Sequence, residues 1–189
     1  MISPFVYSTC VVFLFGVSFI VFRVHVRRDY RNLGQLGRFT GFLEGAVWAL
    51  FICFPFLYNP PIWMFSWSRE ICILSKIIGL TAVISGFVLA FYAMGWLGVR
   101  RSFGQDTKDL KRTGLYRFTR NPQIVGGALM VLGECTLWPS WYAYGWGLSY
   151  AVIAHMMVIT EEEHLKRIFG SEYDQYCRRV PRYLGYLKD

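Results

Sequence analysis

The stretch PFVYSTCVVFLFGVSFIVF, residues 4–22, runs nineteen residues without a charge and stops on Arg23-Val24-His25-Val26-Arg27-Arg28. About 20 apolar residues in a helix cross the roughly 30 Å hydrocarbon core of a bilayer, so this stretch reads as a membrane span. It lacks a preceding basic region and runs straight into Arg23, which is not the pattern of a cleavable signal peptide. Four further apolar stretches follow. The second, Phe39 to Tyr58, carries one charge, Glu44, and ends at Asn59-Pro60-Pro61, where proline stops a helix. The third, Ile71 to Leu97, has Lys76 near one end and a stripe of small residues, Ser75, Gly79, Ala82, Gly86 and Ala90, of the kind that lets membrane helices approach closely. The fourth runs from Gln123 to Trp138 and the fifth from Trp141 to Ile159, and the short link Pro139-Ser140 makes them a helical hairpin.

Composition agrees with a bilayer environment. The 189 residues are 54% hydrophobic and only 17% charged, against about 25% charged in a soluble domain. A soluble globule of this length could bury only part of so much apolar surface, which argues against soluble all-β, Rossmann and secreted disulfide classes. The net charge is +8, and its distribution matters more than its size. Eighteen of the twenty Lys and Arg residues fall in three blocks, Arg23 to Arg38, Arg100 to Arg120 and Lys166 to Lys188. If five helices span, all three blocks share one side, as the excess of cytoplasmic cations in membrane proteins requires. The expected topology therefore has the N-terminus outside and the C-terminus cytoplasmic. A basic face for nucleic acid is disfavoured by the same distribution. The five cysteines form no CxxC and no zinc spacing, so they read as reduced, packed, small hydrophobes, with no metal site.

The expected fold is all-α: a polytopic membrane protein of about five transmembrane helices with a C-terminal amphipathic helix. Residues 1–98 carry three spans; residues 99–189 carry a cofactor-binding loop, the hairpin and the tail, in one integrated membrane domain. In that tail, from Glu161 to Arg178, Leu165, Phe169, Tyr173 and Tyr176 share a face that could lie on the membrane or cap the bundle.

No GxGxxG, P-loop, HExxH or GxSxG is present. The candidate chemistry lies in the last 90 residues. Asn121 suits a helix N-cap and Pro122 the first helical position, so the start of the fourth span is either an anion site or an ordinary helix start after a basic loop. In Glu161-Glu162-Glu163, Glu162 has Lys166 four residues on and Glu163 has Arg167, both ordinary helical pairs. Glu161 has Leu165 there instead, so it needs another cation, such as a ligand ammonium or sulfonium. Glu44 and Glu134 lie inside spans, where carboxylates are costly and functional candidates by default; Glu134 is the favoured one. His155 is either a base or a hydrogen-bonded bundle residue.

These residues resemble the membrane methyltransferase superfamily of isoprenylcysteine carboxyl methyltransferases and phospholipid N-methyltransferases. The resemblance rests on Gly114, Tyr116 and Arg120-Asn121-Pro122-Gln123-Ile124-Val125-Gly126, then Glu161-Glu162-Glu163-His164-Leu165, Phe169-Gly170, Tyr173, Tyr176 and Val180-Pro181-Arg182. It covers about residues 97 to 184. It implies S-adenosylmethionine as methyl donor, held by Gln105, Leu110, Tyr116, Asn121, Pro122, Ile124, Glu161 and Glu162, with Arg120 beside the donor carboxylate. Glu134, His155 and Arg120 are the candidate catalytic residues. Two positions depart from the family pattern: Asn121 stands for its His and Ile124 for its Tyr. Met157 stands where the carboxyl methyltransferases carry an Arg for the substrate carboxylate. The implied activity is methyl transfer to a lipid or lipid-borne acceptor at the cytoplasmic membrane face, an amine lipid being favoured over a prenylcysteine. The alternatives are an NADPH-dependent enzyme like the sterol reductases, which Lys108, Lys111 and Arg112 would serve, and a non-catalytic scaffold or transporter.

Overall fold

The computed structural model describes residues 2–58, 71–98 and 109–185. All regular structure among them is helical, as expected. Ser3 opens α1 (Pro4–Phe19), its side chain accepting from the Val6 amide at 3.3 Å, with Pro4 at the first helical position. The rod continues through a π-helical stretch, Ile20–Val26, into α2 (Arg27–Asn32). A short turn then reverses the chain. The buried Asp29 carboxylate fixes that turn by accepting from the Gly37 amide at 3.0 Å. α3 (Arg38–Cys53) ends in a 3-10 turn, Phe54–Leu57. Pro55 has no N–H to offer the Phe51 carbonyl, and the Trp146 indole donates to that carbonyl at 3.0 Å.

α4 (Ile73–Leu97) stops at Gly98, whose φ of 94° suits only glycine. A 3-10 turn at Gly114–Arg117 leads to α5 (Pro122–Leu137). Ser140 caps α6 (Trp141–Phe169), accepting from the Ala143 amide at 3.1 Å. The expected hairpin forms. Ile124 of α5 meets Tyr150 of α6 through Tyr150 Oη donating to the Ile124 carbonyl at 2.8 Å, and Cys135 meets Ala143 in the same way at 3.2 Å.

Among the described residues three helices are long and apolar enough to cross a membrane: Pro4–Asn32, Arg38–Leu57 and Ile73–Leu97. The expected fourth span corresponds to α5, which is apolar but only 16 residues long. The expected fifth lies inside α6, a single 29-residue helix that runs on into its charged end. The tail differs from expectation. It is not one helix from Glu161 to Arg178: α6 carries Glu161 to Phe169, Gly170 turns the chain at φ 51°, and α7 (Ser171–Arg179) follows. Of the two expected places for its apolar face, on the membrane or capping the bundle, the structure shows the second. Tyr173, Tyr176 and Val180 pack with Leu165, Phe169 and Leu110 as a small satellite core that caps the bundle.

Lipid tails are as apolar as leucine, so burial alone holds membrane helices together weakly; close packing and interhelical hydrogen bonds do more. The stripe on α4 supplies the close packing. A Cβ added at Gly86 would sit 2.5 Å from the Gly126 carbonyl oxygen, and one at Gly126 would sit 2.7 Å from the Gly86 carbonyl oxygen. Lower on the same seam, a Cβ at Gly133 would lie 2.6 Å from the Gly79 carbonyl oxygen. Backbone therefore meets backbone along α4 and α5. Away from that seam, Ile77, Ile84, Val88 and Phe91 of α4 are exposed. α1, α3, α5 and α6 share a separate apolar core around Phe22, Val47, Phe51 and Ile153. There the Tyr7 hydroxyl donates to the Tyr142 carbonyl at 2.6 Å and Phe51 stacks on Trp146 at 4.8 Å. All five cysteines are free. Cys135 is packed as expected, whereas Cys53 and Cys72 are exposed on their helices.

Candidate functional site

A cavity of about 680 Å³, mouth included, lies at the polar end of the bundle. Its walls come from α2, the end of α4, residues 109–121, the last turns of α6, and α7. Five of the expected donor residues line it: Leu110, Tyr116, Asn121, Glu161 and Glu162. Pro122 is fully buried at the start of α5. Ile124 faces elsewhere, into an apolar groove of about 640 Å³ between α5 and α6. Gln105 lies outside the described residues. Of the candidate catalytic residues, only Arg120 lines the cavity. His155 lies on the apolar groove, its Nδ1 3.1 Å from the Tyr183 hydroxyl. Glu134 is twelve residues along α5 from Pro122, about 18 Å by helical rise, so the fold separates it from this cavity.

The Glu161–Glu163 turn is partnered differently from the helical-spacing reading. Glu162 does not pair with Lys166. Its Oε1 lies 3.0 Å from Arg120 and its Oε2 2.7 Å from Arg182. Lys166 instead pairs with Asp174 at 2.9 Å. Glu163 does not pair with Arg167 either; Arg23 and Arg27 hold its two oxygens, each at 2.8 Å. Arg167 donates to the Tyr30 carbonyl and reaches His164 Nδ1 at 3.2 Å. The reason is tertiary: the i,i+4 rule describes a lone helix, and here cations from four other segments reach the carboxylates first.

Asn121 is also used differently. Its side chain does not cap α5. Its Nδ2 donates to the Arg182 carbonyl at 3.0 Å, beside an Arg120 amide bond to the Pro181 carbonyl at 3.0 Å. Val180-Pro181-Arg182 is thus strapped across the start of α5. Tyr116 is held by Gln123, whose Nε2 donates to its hydroxyl at 3.2 Å, and by Tyr176, whose hydroxyl donates to the Tyr116 carbonyl at 2.6 Å. Burial, then the Glu161 charge, pushes the Tyr116 phenol up, so it stays protonated.

Glu161 stands apart from its neighbours: among the described residues it has no ion-pair partner. Desolvation first, then the Glu162 charge, raises its carboxyl to about 7. Arg120 contributes a second unmatched group, a buried Nε–H without a hydrogen-bond acceptor. The cavity therefore presents a carboxylate short of a cation and a guanidinium short of an acceptor. That combination suits a zwitterionic ligand. No group of side chains among the described residues is arranged to hold a metal ion.

The family model for phospholipid methyltransferases matches residues 74–172, just over half of the chain. The chain belongs to the phospholipid methyltransferase family. No curated protein and no solved structure matches it. It is a membrane methyltransferase of a lipid-acting family, and the matched segment runs from the start of α4 through the cavity-lining end of α6 into α7.

One cavity residue of this methyltransferase, Tyr30, carried no sequence signal. Tyr30 lies outside the matched segment and stacks on His164 at 4.0 Å and 5°. His164 is 2% exposed, and desolvation, then Arg167, lowers its pKa to about 4, which keeps the ring neutral at pH 7. Arg182 stood in the closing Val180-Pro181-Arg182 of the resemblance without a role. Its pairing with Glu162 could not be read from a spacing of 20 residues.

Proposed function

We propose that this chain transfers a methyl group from S-adenosylmethionine to an amine-bearing membrane lipid at the cytoplasmic face. When bound, S-adenosylmethionine supplies an electrophilic methyl on a sulfonium. The residues of the cavity fit its groups. Glu161 takes the ammonium of its amino-acid end. The Arg120 Nε–H takes its carboxylate. The faces of Tyr116 and Tyr176 suit a cationic sulfonium. Glu162 then acts as a positioning residue, fixing Arg120 and Arg182 around the site, rather than holding the donor itself. The observation that carries the reading is the unpartnered Glu161, facing a cavity that the family signature residues Tyr116 and Asn121 also line.

The amine-lipid preference rests on Met157. It packs against the apolar core with Ile124 and Met156, where a carboxylate-binding enzyme would need a cation. A carboxylate drawn into a partly dry site without a cation loses several kcal/mol of solvation. Much of the catalytic gain comes from approximation and alignment. An assay with methyl-labelled donor on total lipid extract, beside a farnesylcysteine analogue, tests the acceptor. Label in amine lipids supports the reading; methyl ester on the analogue alone overturns it. The face is tested with Ser171→Cys on a cysteine-free background. An impermeant maleimide should react only after permeabilisation, and reaction in intact cells overturns the cytoplasmic placement.

A further inference from the structure

The apolar groove of about 640 Å³ between α5 and α6 takes no part in the donor reading. Small residues open it on both walls: Ala128 on α5, Ala151 and Ala154 on α6. Tyr150 stands between the two helices as a strut. Its hydroxyl donates to the Ile124 carbonyl at 2.8 Å. Gly127 makes room for it, since a Cβ there would lie 2.2 Å from that hydroxyl. Glycine brings backbones together along the α4–α5 seam; here glycine admits an aromatic ring that holds two helices apart.

The two ends of the groove differ. Cys135 meets Ala143 in the hairpin. Eleven residues before Cys135 stands Ile124, and eleven after Ala143 stands Ala154, so these two lie level at the polar end. That end also carries His155, Tyr183 and Leu184. His155 Nδ1 lies 3.1 Å from the Tyr183 hydroxyl, and its other ring nitrogen has no hydrogen-bond partner among the described residues. From Ile124 to Leu132 the lining is aliphatic apart from Tyr150, over about 12 Å of helix. One leaflet of hydrocarbon is about 15 Å deep. The polar end adjoins the donor cavity. Asn121, about one turn before Ile124, lines that cavity and donates to the Arg182 carbonyl at 3.0 Å. Tyr183 follows Arg182 directly, so the strap passes from the donor cavity to the groove.

We infer that this groove seats one acyl chain of the phospholipid acceptor, with His155 and Tyr183 meeting the phosphate or ester oxygens where chain and headgroup join. The inference rests on the lipid-acceptor reading above and names the site that selects a long chain. Polarity favours this occupant. The groove is polar at the end beside the donor cavity and aliphatic along the rest, as a phospholipid is along its own length. The hydrogen bonding fits as well. In a neutral imidazole one nitrogen accepts and the other donates. With the Tyr183 hydroxyl donating to Nδ1, the Nε2–H is left to donate, and phosphodiester and ester oxygens accept. A chain that moves from the bilayer into the groove leaves one apolar medium for another. The groove therefore contributes alignment of the acceptor more than affinity.

The test uses the full chain in vesicles of dioleoylphosphatidylglycerol, with dioleoylphosphatidylethanolamine or its dihexanoyl analogue as acceptor. Ala151→Trp fills the groove from an exposed position, which spares the fold. KM for the dioleoyl lipid should rise about three- to tenfold. KM for the dihexanoyl lipid, and donor affinity by calorimetry, should stay within about twofold. If Ala151→Trp does not fold, Ala128→Leu fills the same groove from α5. Tyr183→Phe should raise KM for both lipids by about threefold with kcat kept, a split that separates positioning from proton transfer. Photolabelling gives a readout without turnover. An ethanolamine lipid with a diazirine near the end of one chain should label residues 124–132 and 150–155 above the exposed α4 residues Ile84, Val88 and Phe91. Ala151→Trp should remove only that excess. Equal labelling of both faces, unchanged in the variant, means bilayer contact alone and overturns the inference. Equal KM changes for long and short chains also overturn it. A wild type active on both lipids, with no response to Ala151→Trp, overturns the inference and leaves the acceptor reading intact. A wild type that methylates no lipid removes both.

Discussion

The two walls of the cavity are built from the same residue types and end in opposite states. On the C-terminal wall, Glu162 has an arginine at each oxygen, and the strap 180–182 is tied to 119–121 by backbone and side-chain bonds. On the opposite wall, Glu161 has no countercharge among the described residues, although it is the immediate neighbour of Glu162. The difference separates architecture from readiness to bind. A carboxylate neutralised by the protein holds the site's shape; one left without a cation waits for a ligand that carries it.

The largest effect should come from breaking the finished wall. Glu162→Ala leaves Arg120, 12% exposed at its side chain, without its carboxylate. Removing one partner of a buried pair costs about 3–5 kcal/mol, and the remaining exposure places the loss near the lower figure. Denaturation in mild detergent measures it. Gly86→Ala comes next, because its methyl would meet the Gly126 carbonyl. Overpacking of this kind costs about 1–3 kcal/mol. It should lower stability while donor affinity in the folded fraction holds, which shows that lost stability alone does not empty the cavity.

A smaller and oppositely signed effect is expected at Glu161. Its carboxyl titrates near 7 in the folded protein and near 4.3 when unfolded. The folded state therefore binds more protons between those values. Ligand-free stability should fall as pH rises from about 5 to about 7. Glu161→Gln should flatten that slope and leave the protein at least as stable at pH 8. A slope unchanged in the variant would show that Glu161 is not the desolvated group.

What the sequence made legible follows the range of each interaction. The apolar runs, the Pro139-Ser140 hairpin and the Gly79–Gly86 stripe rest on local pattern, and each has its counterpart in α1 to α6. The signature residues Tyr116, Asn121 and Glu161 also come together in one cavity. The partners of Glu162 and Glu163 were misread because helical spacing sees only Lys166 and Arg167. The actual cations arrive from the π-helical stretch, α2, the turn before α5 and the strap. The break at Gly170 was missed because the apolar face of the tail keeps helical spacing across it, and only the positive φ ends α6. Tyr30 gave no signal, since nothing in α2 marks a residue that stacks on His164 from 134 positions away.

The central claim is that Glu161, not Glu162, receives the donor's cation. Calorimetry of S-adenosylmethionine binding to Glu161→Gln and Glu162→Gln, each at a temperature where it is folded, tests it most directly. A charge-assisted hydrogen bond contributes about 1.5–3 kcal/mol. Glu161→Gln should therefore bind the donor roughly 10- to 150-fold more weakly, with its melting temperature kept. Glu162→Gln should lose melting temperature and bind within a few-fold of wild type. Unchanged donor affinity in Glu161→Gln would contradict the account.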